Sequence, residues 1–379
     1  MIKNIVICAP NIFEGGPLTV LNEAIVSVRT NFPKSNIILI INNKKIIKHL
    51  NITDLISIET PNSKKSWIRR IIYEYLIFKK ISKQIDIDLW ISLQDVTSII
   101  QAKYQAVYCH CPIPFYRIKL KDIYLEPSSL MRNLLYNFIY KLNIHRNDLI
   151  IVQQEWLRAK FKNMTNHKNI IVAKPVGKKN NIKKILHKRS KNKKYVFIYP
   201  TLPRFHKNVE VIGDAVNNLL NNKVENFIIK ITINGNENRY AKYLFKKYSK
   251  YKNIQFIGLQ DKKKIKQLYK KADALIFSSK LETWGLPISE AAEYNLPIIA
   301  SNLDYAFETL GSYKNASFFK YNDHNELSSE IKSFIENKWK PHSFKKTVNI
   351  KPYAQNWDSL WTFIKSDFNN KINENKKNN

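Results

Sequence analysis

Short apolar runs alternate with longer amphipathic stretches from the first residues of the chain onward. NIVICAP (4–10) has the unbroken hydrophobicity of a strand buried on both faces, and the loop NIFEGG follows it. PLTVLNEAIVSVRT then carries helical spacing with Pro17 in its first turn. Further apolar runs at 36–41, 88–93, 105–110, 148–153 and 169–173 predict strands. Helical patterns over 66–84 and about 129–142 lie between them. This alternation predicts a parallel sheet covered by helices on both faces.

The pattern breaks at 178–194, KKNNIKKILHKRSKNKK, which holds nine basic residues and no acid and reads as a solvated linker or loop. Alternation then restarts, with strands expected at 195–200, 226–235, 253–258, 272–279, 296–301 and 316–319. Helices are expected at 207–221, 238–250, 261–271, 287–294 and 323–337. Residues 353–368 form an amphipathic pattern rich in aromatics, and 369–379 read as a disordered polar tail. The expectation is an α/β protein of two Rossmann-like domains, 1–177 and 195–350, with helix 353–368 packing back onto the first. Ligands of open α/β sheets bind beyond the carboxyl ends of the strands, so two such sheets predict a site in a cleft between them.

Composition changes this picture little. The 379 residues suffice for two cores, and 44% hydrophobic residues mark a globular chain. A formal charge of +33 would by itself suggest a nucleic-acid binder. Lys, Asn and Ile are, however, abundant along the whole chain, so part of the charge is compositional background and no nucleic-acid partner is expected. The remainder suits a phosphorylated ligand or an anionic membrane surface. Three cysteines without a C-x-x-C pair give no support to zinc or dithiol chemistry. No apolar run reaches the roughly 18 residues a span requires, so the expected location is cytoplasmic, with peripheral contact to the inner face of the membrane left open. The helix 66–84 mixes Trp67, Tyr73, Tyr75 and Phe78 with seven nearby lysines and arginines. It fits either an interfacial helix or an ordinary cover for the sheet.

The chemistry concentrates in 272–301, ADALIFSSKLETWGLPISEAAEYNLPIIAS. A buried strand ends at Ser278-Ser279 and a loop presents Glu282. Gly285 permits close backbone approach, and Pro287 opens a helix that carries Glu290. Amides at the start of that helix favour an anion. The two carboxylates can accept hydrogen bonds from sugar hydroxyls, and this combination suits a nucleotide diphosphate-sugar. Asp86-Ile87-Asp88 precedes a strand instead of following one and reads as a structural turn.

This ordered pattern resembles the retaining glycosyltransferases of the Glu-x7-Glu superfamily, the glycosyl transferases group 1, most clearly over about 195–335. The resemblance implies a GT-B fold, α/β with two Rossmann-like domains whose parallel sheets face a central cleft, and a sugar donor that needs no metal or other cofactor. It implies that Glu282 contacts donor-sugar hydroxyls and Glu290 the nucleotide ribose. Thr283, Gly285 and Leu286 would line the donor sugar and diphosphate. Lys207 would neutralise the diphosphate together with Arg204, which lies three residues before it instead of about five as in many members. Gly15 and Gly16 would let the first loop approach donor phosphates, and His110, before the loop CPIPFY, would lie near the reacting sugar. The implied reaction moves a hexose with retention to a hydroxyl of a glycan or lipid-linked glycan, as in bacterial surface polysaccharide synthesis. Two alternatives are a nucleotide-sugar epimerase on the same fold and a non-enzymatic protein that binds polyanions or membranes.

Overall fold

The computed structural model describes residues 2–12, 15–47, 54–63, 65–175, 194–344 and 347–377. The basic segment 178–194 lies outside the described residues except for Lys194. The chain forms two compact units. The first comprises Met1–Phe115, Asn133–Lys178 and Asn349–Asn379; the second comprises Tyr116–Arg132 and Lys179–Val348.

The first unit contains strands β1 (Asn4–Ala9), β2 (Asn36–Ile41), β3 (Leu55–Glu59), β4 (Leu89–Ser92), β5 (Tyr104–Cys109), β6 (Leu149–Val152) and β7 (Ile170–Ala173). The second contains β8 (Tyr195–Tyr199), β9 (Phe227–Ile231), β10 (Ile254–Phe256), β11 (Ala274–Phe277), β12 (Ile298–Ser301) and β13 (Ala316–Phe319). A two-residue strand, β14 (Tyr353–Ala354), then joins the first sheet. The sheets run β14-β7-β6-β5-β4-β1-β2-β3 and β10-β9-β8-β11-β12-β13, and every pair is parallel. Central strands such as β4, β6, β11 and β12 are buried at every position, which is why they read as continuous apolar runs.

In each sheet the strand order reverses beside the unit's first strand. The reversal falls between β1 and β4 in the first unit and between β8 and β11 in the second. At such a point the two loops leave the carboxyl ends of adjacent strands in opposite directions and open a crevice.

Several features depart from the sequence reading. The segment Tyr116–Arg132 belongs to the second unit, not to the domain 1–177. Its Tyr116 ring packs edge-on against Phe205 at 4.9 Å. Strand β3 was not anticipated, because as an edge strand only half-buried it lacks a continuous apolar run. The helical pattern 66–84 contains a π-helical turn at Tyr73–Ile77 between α-helical Trp67–Ile72 and Phe78–Lys83. Finally, 369–377 is not a disordered tail: helix Trp357–Lys377 continues through it. Nothing in its polar sequence breaks the helix, and the buried Trp357, Leu360, Trp361, Ile364 and Phe368 anchor the turns before it.

That anchor is aromatic. Trp357 stacks on Tyr108 at 5.5 Å, and Trp361 meets Phe32 edge-on at 5.9 Å. Trp361 is fully buried. Replacing it with alanine leaves a cavity the core cannot refill. Trp361→Ala is expected to lower the stability of the first unit by about 3–5 kcal/mol in urea denaturation.

Candidate active site

The second unit brings the strongest sequence candidates together. The loop after β8 makes a 3₁₀ turn at Phe205–Lys207, and Asn208 then adopts φ 57°. The helix therefore starts at Val209, not at Lys207 as the sequence suggested. Asparagine tolerates this left-handed conformation, and its side-chain amide donates to the carbonyls of Ser278 (3.1 Å) and Tyr321 (2.6 Å). The carbonyl of Lys207 accepts from the Tyr199 hydroxyl at 2.6 Å and the Ser278 hydroxyl at 3.1 Å. The carbonyl of His206 accepts from the Lys280 amide at 2.7 Å. The loops leaving β8 and β11 are thus laced together along their backbones. This lacing sets Lys207 Nζ 2.5 Å from Glu282 Oε1, with both side chains mostly buried.

Beyond Glu282 the chain passes Thr283 and Trp284 to Gly285, which has φ +80° and precedes the helix Leu286–Glu293. A side chain at Gly285 would be strained by that φ, although its Cβ would meet Phe277 and Ile288 only at ordinary contact distance, 3.4–3.5 Å. Pro287 occupies the first turn, as predicted. The turn is clamped from outside: the Thr309 hydroxyl donates to the Trp284 carbonyl, and the Trp284 indole donates to Ser289 at 2.8 Å. Glu290 accepts from the Tyr269 hydroxyl at 2.9 Å, and Tyr269 stacks on Tyr294 at 5.7 Å. Burial, the Glu290 charge and that hydrogen bond push the Tyr269 phenol well up, so it remains a donor to the carboxylate.

Arg204 takes a different partner. Its guanidinium donates to Glu126 Oε1 at 2.7 Å, and Arg132 also binds that oxygen. Glu126 comes from the segment Tyr116–Arg132, so it is invisible to any reading that assigns this segment to the first domain. His206 is a second residue the sequence did not single out. Its Nδ1 is buried without a hydrogen-bond partner. Desolvation, then the charges of Lys207, Arg204, Arg132 and Lys280, hold its pKa well below the usual histidine range. Burial also lowers the Lys280 ammonium. Of these cations Lys207 is paired with Glu282, and Arg204 and Arg132 with Glu126, so the neutral imidazole lies in a mixed cluster of cations and carboxylates.

The first unit holds the other candidates at its own reversal point. Gly15 and Gly16 are the first two residues of helix Gly15–Asn31, not part of the preceding loop, and Gly15 has φ +68°. His110 follows β5. Asp95, itself at φ 69°, accepts at Oδ1 from the amides of His110 (2.6 Å) and Cys111 (3.0 Å) and from the Tyr140 hydroxyl (2.8 Å). Its Oδ2 lies 3.5 Å from His110 Nε2, and His110 Nδ1 has no hydrogen-bond partner. Asp95 thus orients the imidazole, a role no local motif announces. Beside it, the Gln94 amide donates to Glu74, while Gln94 Oε1 accepts from the Asn11 backbone and side chain at 3.3 Å. Glu74 also accepts from Ser98 at 2.5 Å. It sits in the π-helical turn, fully buried, and desolvation pushes its pKa up to about 7 against the lowering effect of Arg70.

Asp86 and Asp88 have structural duties. Asp88 accepts from the amides of Lys3 (2.6 Å) and Asn4 (3.1 Å), and both carboxylates bind Lys103. Among the described residues no group of three or more His, Cys, Asp or Glu side chains is arranged to hold a metal ion.

Residues 178–357 match the family model of glycosyl transferases group 1. No curated protein sequence matches the chain. Solved structures of similar fold include the lipopolysaccharide outer core galactosyltransferase WaaB (14% identity, TM-score 0.58, covering 98% of this chain and 100% of that chain). WaaG, a glycosyltransferase involved in lipopolysaccharide biosynthesis, is 11% identical with TM-score 0.63, covering 96% of this chain and 94% of that one. The pneumococcal O-GlcNAc transferase GtfA in complex with UDP and GlcNAc is 11% identical with TM-score 0.62, covering 100% and 98%. These likenesses give the fold, GT-B.

Two predictions follow the two loop networks. Lys207→Ala is expected to weaken binding of the donor's nucleoside diphosphate about 10- to 100-fold in isothermal titration, the worth of one charge-assisted contact, and unchanged affinity would remove Lys207 from the site. For Glu74, the folded state holds its proton more tightly than the unfolded chain. Its contribution to stability is therefore complete below about 4.5 and is lost as pH rises through about 7. Relative to wild type, Glu74→Gln should be more stable at pH 8 than at pH 5 in denaturant titrations. A difference that does not change with pH would refute the assignment.

Proposed function

We propose, on the match of residues 178–357 to the glycosyl transferases group 1, that the chain moves a hexose with retention from a nucleotide diphosphate-sugar to a hydroxyl of a glycan or lipid-linked glycan. The observation that carries this reading is the Lys207–Glu282 pair at the β8/β11 reversal, beside a glycine-led helix start. In the proposed complex the donor diphosphate takes over Lys207, and the nearby Arg204 and Lys280 add to its neutralisation. Amides at the opening of helix Leu286–Glu293 meet a phosphate, and Thr283, Gly285 and Leu286 line its path. Glu282, released from the lysine, accepts from donor-sugar hydroxyls, and Glu290 accepts from the ribose.

In the proposed reaction the bond from the anomeric carbon to the diphosphate oxygen breaks with its electron pair on the leaving group. The acceptor oxygen bonds to that carbon on the same face, and its proton passes to the departing phosphate. Charge developing on the diphosphate is met by fixed cations, which lowers the barrier without reorganisation. His110, fixed by Asp95, supplies a hydrogen bond to a sugar hydroxyl, and Gly15 and Gly16 at the start of their helix offer backbone without side-chain obstruction. By this reading no metal takes part. The acceptor is a bacterial surface glycan on a lipid diphosphate carrier, reached at the inner face of the cytoplasmic membrane. The basic charge of the chain and the lipopolysaccharide enzymes among its structural neighbours support that choice.

A thermal-shift screen against UDP-, GDP- and dTDP-sugars identifies the donor, since a ligand bound only by the folded state raises its stability. With that donor, Glu282→Ala is expected to slow nucleotide release by a factor of about 100 or more, measured by coupled assay, while the product keeps the donor's anomeric configuration by NMR. Undiminished turnover or an inverted product would overturn the proposal.

A further inference from the structure

The π-interrupted helix from Trp67 to Lys83 is apolar on more sides than its packing uses. Its inner side is occupied: Phe78 is buried in the sheet's core, with Tyr73, Ile77 and Ile81 packed around it. Trp67 meets Tyr136 of helix Ser128–Ile139 edge-on at 5.9 Å, and the Arg70 guanidinium lies 5.0 Å from the Trp67 ring. Yet Ile68 is 72% exposed, Ile72 40% and Leu76 58%, with Ile71 beside them. These residues recur every four positions and form one outward row. The adjoining helix carries a second row: Leu134 and Phe138, again four apart, are each 62% exposed.

The charges around these rows are of one sign. Between Thr60 and Asp86 the only acid is Glu74, which is buried. Between Glu126 and Asp148 there is none. Lys65, Arg69, Lys79, Lys80 and Lys83 are all exposed on or beside the first helix, and Lys141 follows the second. Long basic side chains can reach outward past an apolar row to a negatively charged layer while the row itself enters hydrocarbon. Among the described residues no helix is long and apolar enough to cross a membrane, so such a face can only lie on one. A second copy of this chain would bring the same uncompensated cations against each other, which disfavours a dimer. Nucleic acid would leave the exposed isoleucines unused.

We propose that this face of the first unit docks on a bilayer of anionic phospholipid, with Ile68, Ile72 and Leu76 inserted and Lys79 and Lys80 against the headgroups. The inference rests on the surface alone and stands apart from the assignments of Lys207 and Glu282. Its test is co-sedimentation of the full chain with phosphatidylcholine vesicles, with and without phosphatidylglycerol. Wild type should bind the mixed vesicles and release at high salt. The variant Ile68→Ser/Ile72→Ser/Leu76→Ser and the variant Lys79→Glu/Lys80→Glu should each bind about thirtyfold or more weakly. Both should melt as wild type does and keep its nucleotide-sugar turnover on a soluble acceptor. Binding equal on both vesicle types, or retained by the serine variant, would overturn the proposal. So would a wild-type dimer that the serine variant dissociates, since that places a second copy on this face. Undiminished turnover in Glu282→Ala with vesicle binding intact would count against the catalytic reading only.

Discussion

The ion pair between Lys207 and Glu282 exists because two backbones are sewn together beneath it. Carbonyls of His206, Lys207 and Ser278 accept hydrogen bonds across the loops that leave β8 and β11, and Asn208 spans both. A charge pair this far from water repays its desolvation only when its geometry is fixed, and here backbone contacts fix it. The same constraint is what a phosphate site needs. The lysine is already aimed into the crevice, and the carboxylate that neutralises it in the resting protein is the group assigned to the sugar. In the proposed complex, ligand binding would exchange one partner for another with little rearrangement.

The first unit solves a similar problem with neutral and acidic groups. Its reversal point is organised by Gln94 and Asp95, consecutive residues after β4. One links Glu74 to Asn11, and the other holds the His110 loop. A carboxyl buried in a π-helical turn is costly unless it is protonated or fully hydrogen-bonded, and Glu74 meets partners at both oxygens. Helix insertions of this kind recur where geometry serves a site instead of stability.

What could be read from sequence follows from how local each feature is. Buried parallel strands announce themselves as apolar runs, and Gly285 with Pro287 marks a turn into a helix within three residues. These made 272–301 legible, together with Glu282 and Glu290. Lys207 was legible as a basic residue after a strand, although its 3₁₀ turn and left-handed Asn208 were not. Glu126, Asp95 and Glu74 stayed hidden because Arg204, His110 and Gln94, which they bind, lie 78, 15 and 20 positions away in sequence, and His206 because only its burial sets it apart. The helix at 66–84 was ambiguous because core-facing and outward apolar residues are indistinguishable until the sheet shows which side it covers.

The central claim is that the donor's diphosphate is held where β8 and β11 diverge, by Lys207 and the helix that Gly285 introduces. Hydrogen–deuterium exchange with and without saturating nucleoside diphosphate tests it most directly, because each amide reports its own protection. The account predicts slowed exchange confined mainly to 204–208 and 282–290. Protection elsewhere in the second unit with those two loops unchanged would contradict it.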